Sequence, residues 1–330
     1  MRQIRFPHRH TMPRSISALS LALLAALACT PLFAATPAAP QPVPAPAPAP
    51  ATRTINETRA LDPRGRVEID NLKGRIQVRA WARNEVRITG SLGEGVEKLV
   101  VEGGPQHLEV RVQYPKHIGA WRSDQTGPTD LQLQVPLQAN LDIESVSANI
   151  DVDGIAPRDF SVDTVSGNVT VAGAPVHADI NSVSGDLRLT VNSGDVQAES
   201  VSGDIALQGR LDGEVHAETV SGEIAIDSRG ERLRRLSTGT VSGDVEVRTV
   251  LADGGQIKSE SVSGDIRLRL PKTLSAQVSG ESFSGDLDAP GAKIHREEFG
   301  PGSSLEQRYG AGAGEIRMET FSGDAELILE

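Results

Sequence analysis

The sequence predicts an all-β chain: a single-stranded, β-helix-like β-solenoid of about 20-residue coils, preceded by a β capping subdomain. Three observations carry this expectation. First, one phrase recurs as ESVSANI, DTVSGNV, NSVSGDL, ESVSGDI, ETVSGEI, GTVSGDV, ESVSGDI, ESFSGDL and ETFSGDA. Its central residues are Val146, Val165, Val183, Val201, Val220, Val241, Val262, Phe283 and Phe321, spaced by 19, 18, 18, 19, 21, 21, 21 and 38 residues. Such a period marks a repeat architecture, in which each unit buries its apolar face against its neighbours. Second, with the central residue as zero, apolar or small residues fall at −5, −3, −1, 0, +4 and +6. Around Val201 these are Val196, Ala198, Ser200, Val201, Ile205 and Leu207. Alternation of period two marks strands with one buried face. Third, the parity changes between −1 and 0, and Ser-Gly follows, with Gly167, Gly185, Gly203, Gly222, Gly243, Gly264, Gly285 and Gly323 at +2. A strand turning a corner needs such a break, and glycine adopts backbone angles that other residues resist. The central residues and these glycines are the expected structural corners.

Composition agrees. Aromatic residues make up 3% of the 330, and a single Cys excludes a disulfide framework and a Cys-based zinc site. The 33 glycines disfavour a helical bundle, and the missing Cys pair disfavours an immunoglobulin-like sandwich. An apolar content of 38% is too high for a chain disordered throughout.

In chain order, residues 1–34 read as a secretory signal peptide. Arg2, Arg5, Arg9 and Arg14 precede the apolar run Ile16 to Leu27, and Ala34 and Ala35 offer small residues for cleavage. That run is too short to span a bilayer as a helix, which takes roughly 20 residues. Cys29 as a lipidated N-terminus is the less favoured alternative. Residues 35–54 form a Pro/Ala-rich linker inclined to extended polyproline II. Residues 55–140 are expected to form the capping β subdomain, since an exposed solenoid end invites strand addition. Within it, Arg66 to Val78 already fits the repeat through Val67, Ile69, Asn71, Leu72, Ile76 and Val78. Alternation persists at Val86-Ile88, Leu108-Val110-Val112 and Leu131-Leu133-Val135, and Trp81, Tyr114 and Trp121 concentrate the aromatics. Residues 141–330 carry the solenoid, with an inserted loop at 289–314. No second apolar span occurs, and neither an outer-membrane barrel nor a sorting motif follows the repeats, so a large autotransporter is not expected.

The opening VEIDNLKGRIQVRAW, the entry VPLQANLDIESVSANI, the run of V-S-G-D phrases and the ending YGAGAGEIRMETFSGDAELIL cover roughly residues 55–330. In these segments the chain resembles a bacterial family of secreted β-strand-repeat proteins described as candidate adhesins, a domain of unknown function. The resemblance implies an all-β repeat fold at the cell envelope. It brings no catalytic residues.

Net charge is −11, and becomes −15 once the four arginines of residues 1–34 are gone. That sign opposes nucleic acid and anionic membrane surfaces. An acidic ladder follows the corners at Asn149, Asn168, Asp186, Asp204, Glu223, Asp244, Asp265, Asp286 and Asp324. Each side chain is expected to accept backbone N–H groups at its turn. A Ca²⁺ edge is the weaker reading, because calcium wants six to eight converging oxygens. A second acidic column precedes the corners, at Glu144, Asp163, Glu199, Glu218, Glu260, Glu281 and Glu319, and by parity points outward. It reads as a solvated face, or as a surface for a cationic partner or a sugar. His107, His117, His177, His216 and His295 show no ligand spacing, and no G-x-S-x-G elbow occurs. No metal, cofactor or catalytic residue is expected.

The leading functional expectation is a non-enzymatic, exported envelope protein, periplasmic or at the cell surface, whose repetitive face binds an envelope protein or glycan. A scaffold without a dedicated ligand comes second. A carbohydrate-active β-helix enzyme comes third, with Lys293, His295, Arg296, Glu297, Glu298, Glu306, Arg308 and Tyr309 in the least regular stretch.

Overall fold

A computed structural model of the chain describes residues 53–115, 126–296 and 301–330. The expected signal peptide with Cys29, nearly all of the linker, and Trp121, His117, Glu297 and Glu298 lie outside them. The described residues contain no α-helix; 23 strands join in one largely parallel sheet.

The period-two pattern sets the architecture. Each repeat supplies two strands, one before the corner and one after it, and each strand stacks on its equivalent in the next repeat. His177–Ser184 lies parallel between Asp159–Ser166 and Ser193–Ser200, with Ile180 beside Val162 and Ala198. After the corner, Leu187–Val191 lies between Val169–Gly173 and Ile205–Gln208, with Leu189 beside Val171 and Leu207. The chain thus builds two columns of parallel strands, one tier per repeat. Equivalent residues stack on equivalent residues, so a side chain that suits one tier suits its neighbour. Positions −5, −3, +4 and +6 point into the space between the columns. In the Val220 tier these are Val215, Ala217, Ile224 and Ile226, all at most 3% exposed. The core takes aliphatic chains almost throughout, and among the described residues Phe160 is the one fully buried ring. Each inner tier's two edges are hydrogen-bonded to the tiers on either side, which satisfies the backbone groups that a lone repeat would leave open.

Arg66–Trp81 pairs with Asn140–Ile155 over nearly its whole length, Asn71 against Ser145 and Ile76 against Ile150, in the register the sequence pattern predicts. Its other edge pairs in parallel with His107–Gln113 and Thr129–Pro136. The stretch assigned to a capping subdomain therefore contributes two tiers to the columns: Arg66–Trp81, which the repeat pattern already marked, and His107–Gln113 with Thr129–Pro136, which it did not. Its remaining strands are antiparallel: Lys98–Gly104 on His107–Gln113, Glu85–Leu92 on Thr129–Pro136, and Arg53–Ala60 on Glu85–Leu92.

Tier order departs from chain order at both ends. The tier of residues 66–81 sits between the tiers of 107–136 and 140–155. At the other end the last repeat does the same. Gly314–Thr320 pairs on one edge with 256–261 of the Val262 repeat and on the other with Ala276–Ser282 of the Phe283 repeat. Ala325–Leu329 likewise lies between Ile266–Leu270 and Leu287–Asp288. The spatial order is therefore Val262, Phe321, Phe283. The segment expected as an inserted loop at 289–314 contains strand instead. Ser303–Tyr309 runs antiparallel along Ala276–Ser282, and Lys293–Arg296 runs antiparallel along Ser303–Tyr309.

Candidate functional site

The corner is built by the residue at −1, which is Ser or Thr in every tier from Ser145 to Thr320. All of these are buried. In four of these tiers the hydroxyl bonds back onto its own turn. Ser145 Oγ accepts the Ala148 N–H at 2.9 Å, Ser261 Oγ the Gly264 N–H at 2.8 Å, Ser282 Oγ the Gly285 N–H at 2.8 Å and Thr320 Oγ1 the Gly323 N–H at 2.9 Å. A short hydroxyl side chain that mimics a backbone turn explains the residue type. Its repetition along the chain was the signal, and the pattern alone placed it with the apolar set.

The central residue goes the other way. Alternation runs through −1 without a break, so the next side chain points outward. Val146, Val165, Val183, Val201, Val220, Val241, Val262, Phe283 and Phe321 are 44–53% exposed. The expected parity change between −1 and 0 is absent, because the phase shift falls in the Ser-Gly-Asp turn that follows. The nine residues form one apolar stripe along the corner edge. At its end Phe321 and Phe283 stack with ring centroids 4.7 Å apart. Backbone pairing continues beneath the stripe: Val201 N–H donates to Ser182 O and Ser202 N–H to Val183 O.

The glycines at +2 stack backbone on backbone. A Cβ built on Gly243 would lie far inside the 3.0 Å minimum of real contacts with the carbonyl oxygen of Gly222, and one on Gly264 would meet Gly243 in the same way. Backbone angle is not the cause here, since Gly243 and Gly264 do not have positive φ. Close approach of the tiers is.

Beyond the glycines runs the Asp/Asn ladder. Seven of the nine side chains reach to the next tier's backbone, not to their own turn. Asn149 Oδ1 accepts the Asn168 N–H at 3.1 Å, Asn168 Oδ1 the Asp186 N–H at 3.1 Å, Asp204 Oδ1 the Glu223 N–H at 2.9 Å, and Asp244 Oδ1 the Asp265 N–H at 2.9 Å. The ladder follows the spatial order, from Asp265 to Asp324 and on to Asp286. Arg188 and Arg267 relieve like-charge repulsion by pairing with Asp186 and Asp265, both at 2.8 Å. Among the described residues no group of three or more His, Cys, Asp or Glu side chains is placed to hold a metal ion. An acceptor, not a charge, is what the position requires. Asp204→Asn is therefore expected to leave the melting temperature unchanged. Asp204→Ala, which costs about 1 kcal/mol for the lost hydrogen bond, should lower it by roughly 2–4 °C. Equal losses in thermal unfolding would show that charge matters instead.

On the outward face, two residues before each stripe residue, stand Asp163, Asn181, Glu199, Glu218, Gly239, Glu260, Glu319 and Glu281. They and the stripe residues Val201, Val220, Val241, Val262, Phe321 and Phe283 enclose a groove of about 1250 Å³ that runs over eight tiers and ends at Ser303 and Ser304. Its floor carries the −1 residues. Their side chains point inward, away from the groove, and the hydroxyls of Thr164, Ser182, Ser200 and Thr240 are buried without a hydrogen-bond partner. Lys258 lies 2.7 Å from Glu260, and its hydrogen bond holds that carboxyl below the usual range. Arg317 pairs with Glu319, and His216 lies 3.3 Å from Glu218. Near the other end of the stripe, burial and the neighbouring Asp142, Asp70, Asp163 and Glu68 push Glu144 up.

The stretch considered for catalysis has structural uses. Arg296 pairs with Asp286 at 3.1 Å, the Tyr309 hydroxyl donates to Pro290 O at 2.7 Å, and Arg308 bonds Ala311 O. Lys293 and His295 are exposed on the outermost strand there, and Glu306 is opposite Lys293. Of the other histidines, His107 pairs with Glu68 and His177 with Asp195.

No helix among the described residues is long and apolar enough to cross a membrane. Among curated proteins none matches the chain. Similar solved structures include a candidate lipid-binding protein from Parabacteroides distasonis ATCC 8503, at 11% identity and TM-score 0.47, covering 84% of this chain and 97% of that one. A candidate adhesin from Parabacteroides merdae ATCC 43184 has 10% identity and TM-score 0.46, covering 84% and 96%. Another from Bacteroides fragilis NCTC 9343 has 10% identity and TM-score 0.42, covering 84% and 99%. A family model matches twice, over residues 74–256 and 233–327, and these spans take in both columns from the 66–81 tier to the last. The chain belongs to the Toastrack DUF4097 family.

Proposed function

We propose that this protein is an exported, non-enzymatic component of the cell envelope that binds a partner along the groove at its corner edge. On this reading the two columns form a single-stranded β-solenoid whose ends are closed by the antiparallel strands. The basic, apolar and small-residue order of residues 1–34 supports export. The observation that carries the binding role is the stripe. Nine half-exposed Val and Phe side chains in one unbroken line leave apolar surface in water, where single scattered residues would need no explanation. The ladder and the glycine column are explained by stacking alone; the stripe is not.

A photo-crosslinking residue placed at Val220 tests this in the native envelope, with one at Thr170, on the outward face of the other column, as the comparison. A discrete crosslinked envelope protein or glycan from Val220 but not from Thr170 is expected. Equal yields from both faces, or none, would leave a scaffold without a dedicated ligand as the better reading.

A further inference from the structure

We propose that the occupant of this groove is a cationic amphipathic α-helix, an inference that rests on the binding role above. The stripe advances one residue per tier, about 4.8 Å, and so extends roughly 38 Å. The groove beside it, at about 1250 Å³ over eight tiers, is larger and longer than a small-molecule site needs, which is about 300–1,000 Å³. A linear polymer fits it.

The backbone sets the polymer's conformation. The groove runs across the strands, and the N–H and C=O groups beneath it are spent between tiers, as at Val201 and Ser202. An occupant finds no sheet edge to join and must satisfy its own backbone, which a helix does. Spacing agrees. A helix presents a residue to one side every turn, about 5.4 Å, so it drifts by half a tier only after about four turns. An extended strand repeats every 6.6–6.8 Å or so and loses step within two tiers.

Charge selects the flanking residues. Asp163, Glu199, Glu218, Glu260, Glu319 and Glu281 line the groove, and of its nearby cations Lys258 and Arg317 serve two of the six. Two copies of this chain joined stripe to stripe would set these acids against each other, which disfavours self-association. A helix with one apolar face and Lys or Arg beside it meets both rows at once.

The probe is a synthetic helix of about five turns, roughly 18 residues, with Leu on one face and Lys on its flanks. The controls are a permuted peptide of the same composition without an apolar face, and a Leu/Glu peptide with the same Leu pattern. Binding to the purified protein is read by fluorescence anisotropy. The Leu/Lys helix should bind at least tenfold more tightly than either control, and more weakly in about 0.5 M salt, where exposed charges are screened. Val201→Thr/Val220→Thr/Val241→Thr and Glu199→Gln/Glu218→Gln/Glu260→Gln should each lose tenfold or more, with unchanged far-ultraviolet circular dichroism confirming the fold. Only the Glu variant should also lose the salt dependence. Equal binding of the permuted peptide, or full binding by both variants, would overturn the proposal. So would dimerisation of the free protein that the Val variant abolishes. If Val220 crosslinks a glycan or an acidic protein while the peptide does not bind, the binding face stands and the helix falls. If neither is captured, both fall.

Discussion

Gly243→Ala is expected to lower the melting temperature by roughly 5–10 °C, the effect of about 3 kcal/mol on a chain of this size. One added methyl is a small change in volume, and at an open position such as Gly104 it should cost nothing. What decides is the atom it meets. The new Cβ at Gly243 would be driven into the carbonyl oxygen of Gly222, and Gly264 approaches Gly243 in the same way from the next tier. Backbone cannot step aside as a flexible side chain can. Relief requires prising two tiers apart, and that stretches the pairing of Val245 with Ile224 and with Ile266 on either side. Gly104→Ala provides the comparison. It sits in a strand with nothing within 4 Å of its would-be Cβ and no positive φ, so the melting temperature should hold or rise slightly. Thermal unfolding of the two variants checks this. A Gly243→Ala protein as stable as Gly104→Ala would mean that the glycine column is not held by close stacking.

These contrasts indicate what the sequence can and cannot convey. The register of nearly every tier is legible because parity at −5, −3, +4 and +6 is enforced by a buried face, and slipping by one residue would turn Val196, Ala198, Ile205 and Leu207 outward. The outward turn of Val201 and its equivalents is not legible from residue type, since valine suggests a core. The buried Ser200 beside it gives the matching false signal, a polar residue where a strand should be apolar. Both are resolved by the turn, where the equivalent hydroxyls of Ser145, Ser261, Ser282 and Thr320 accept a backbone N–H. The groove follows from this reversal, so its apolar stripe was hidden in the phrase that announced the fold, while the acidic column flanking it was readable from parity. Tier order at the ends is the least legible feature. Repeats this alike satisfy one another's pattern in any order, and only differences in side-chain volume distinguish the arrangements.

Those volumes argue that deleting residues 314–330 will release the segment that precedes them. The last repeat is held between two others, with Met318 opposite Ser259 on one edge and Gly280 on the other. Met318 is fully buried and supplies at −3 the bulk that Ser259 and Gly280 lack. Leu305, from the antiparallel strand, closes over Gly280 from the far side. Without the last repeat, the Phe283 tier could regain parallel partners only by dropping onto the Val262 tier. That would set Gly280 beside Ser259 and leave a void where the Met318 side chain had been. Opening such a cavity costs about 2–5 kcal/mol when a Met is cut back to Ala, more than the short strands Ala276–Ser282 and Leu287–Asp288 are placed to recover. Limited proteolysis of the truncated chain should therefore yield a resistant fragment ending near Leu270, with cleavage throughout 271–313. A protected fragment that still reaches Tyr309 would mean that the tiers close up in chain order, and that the bulk of Met318 is not what holds the last repeat inside the stack.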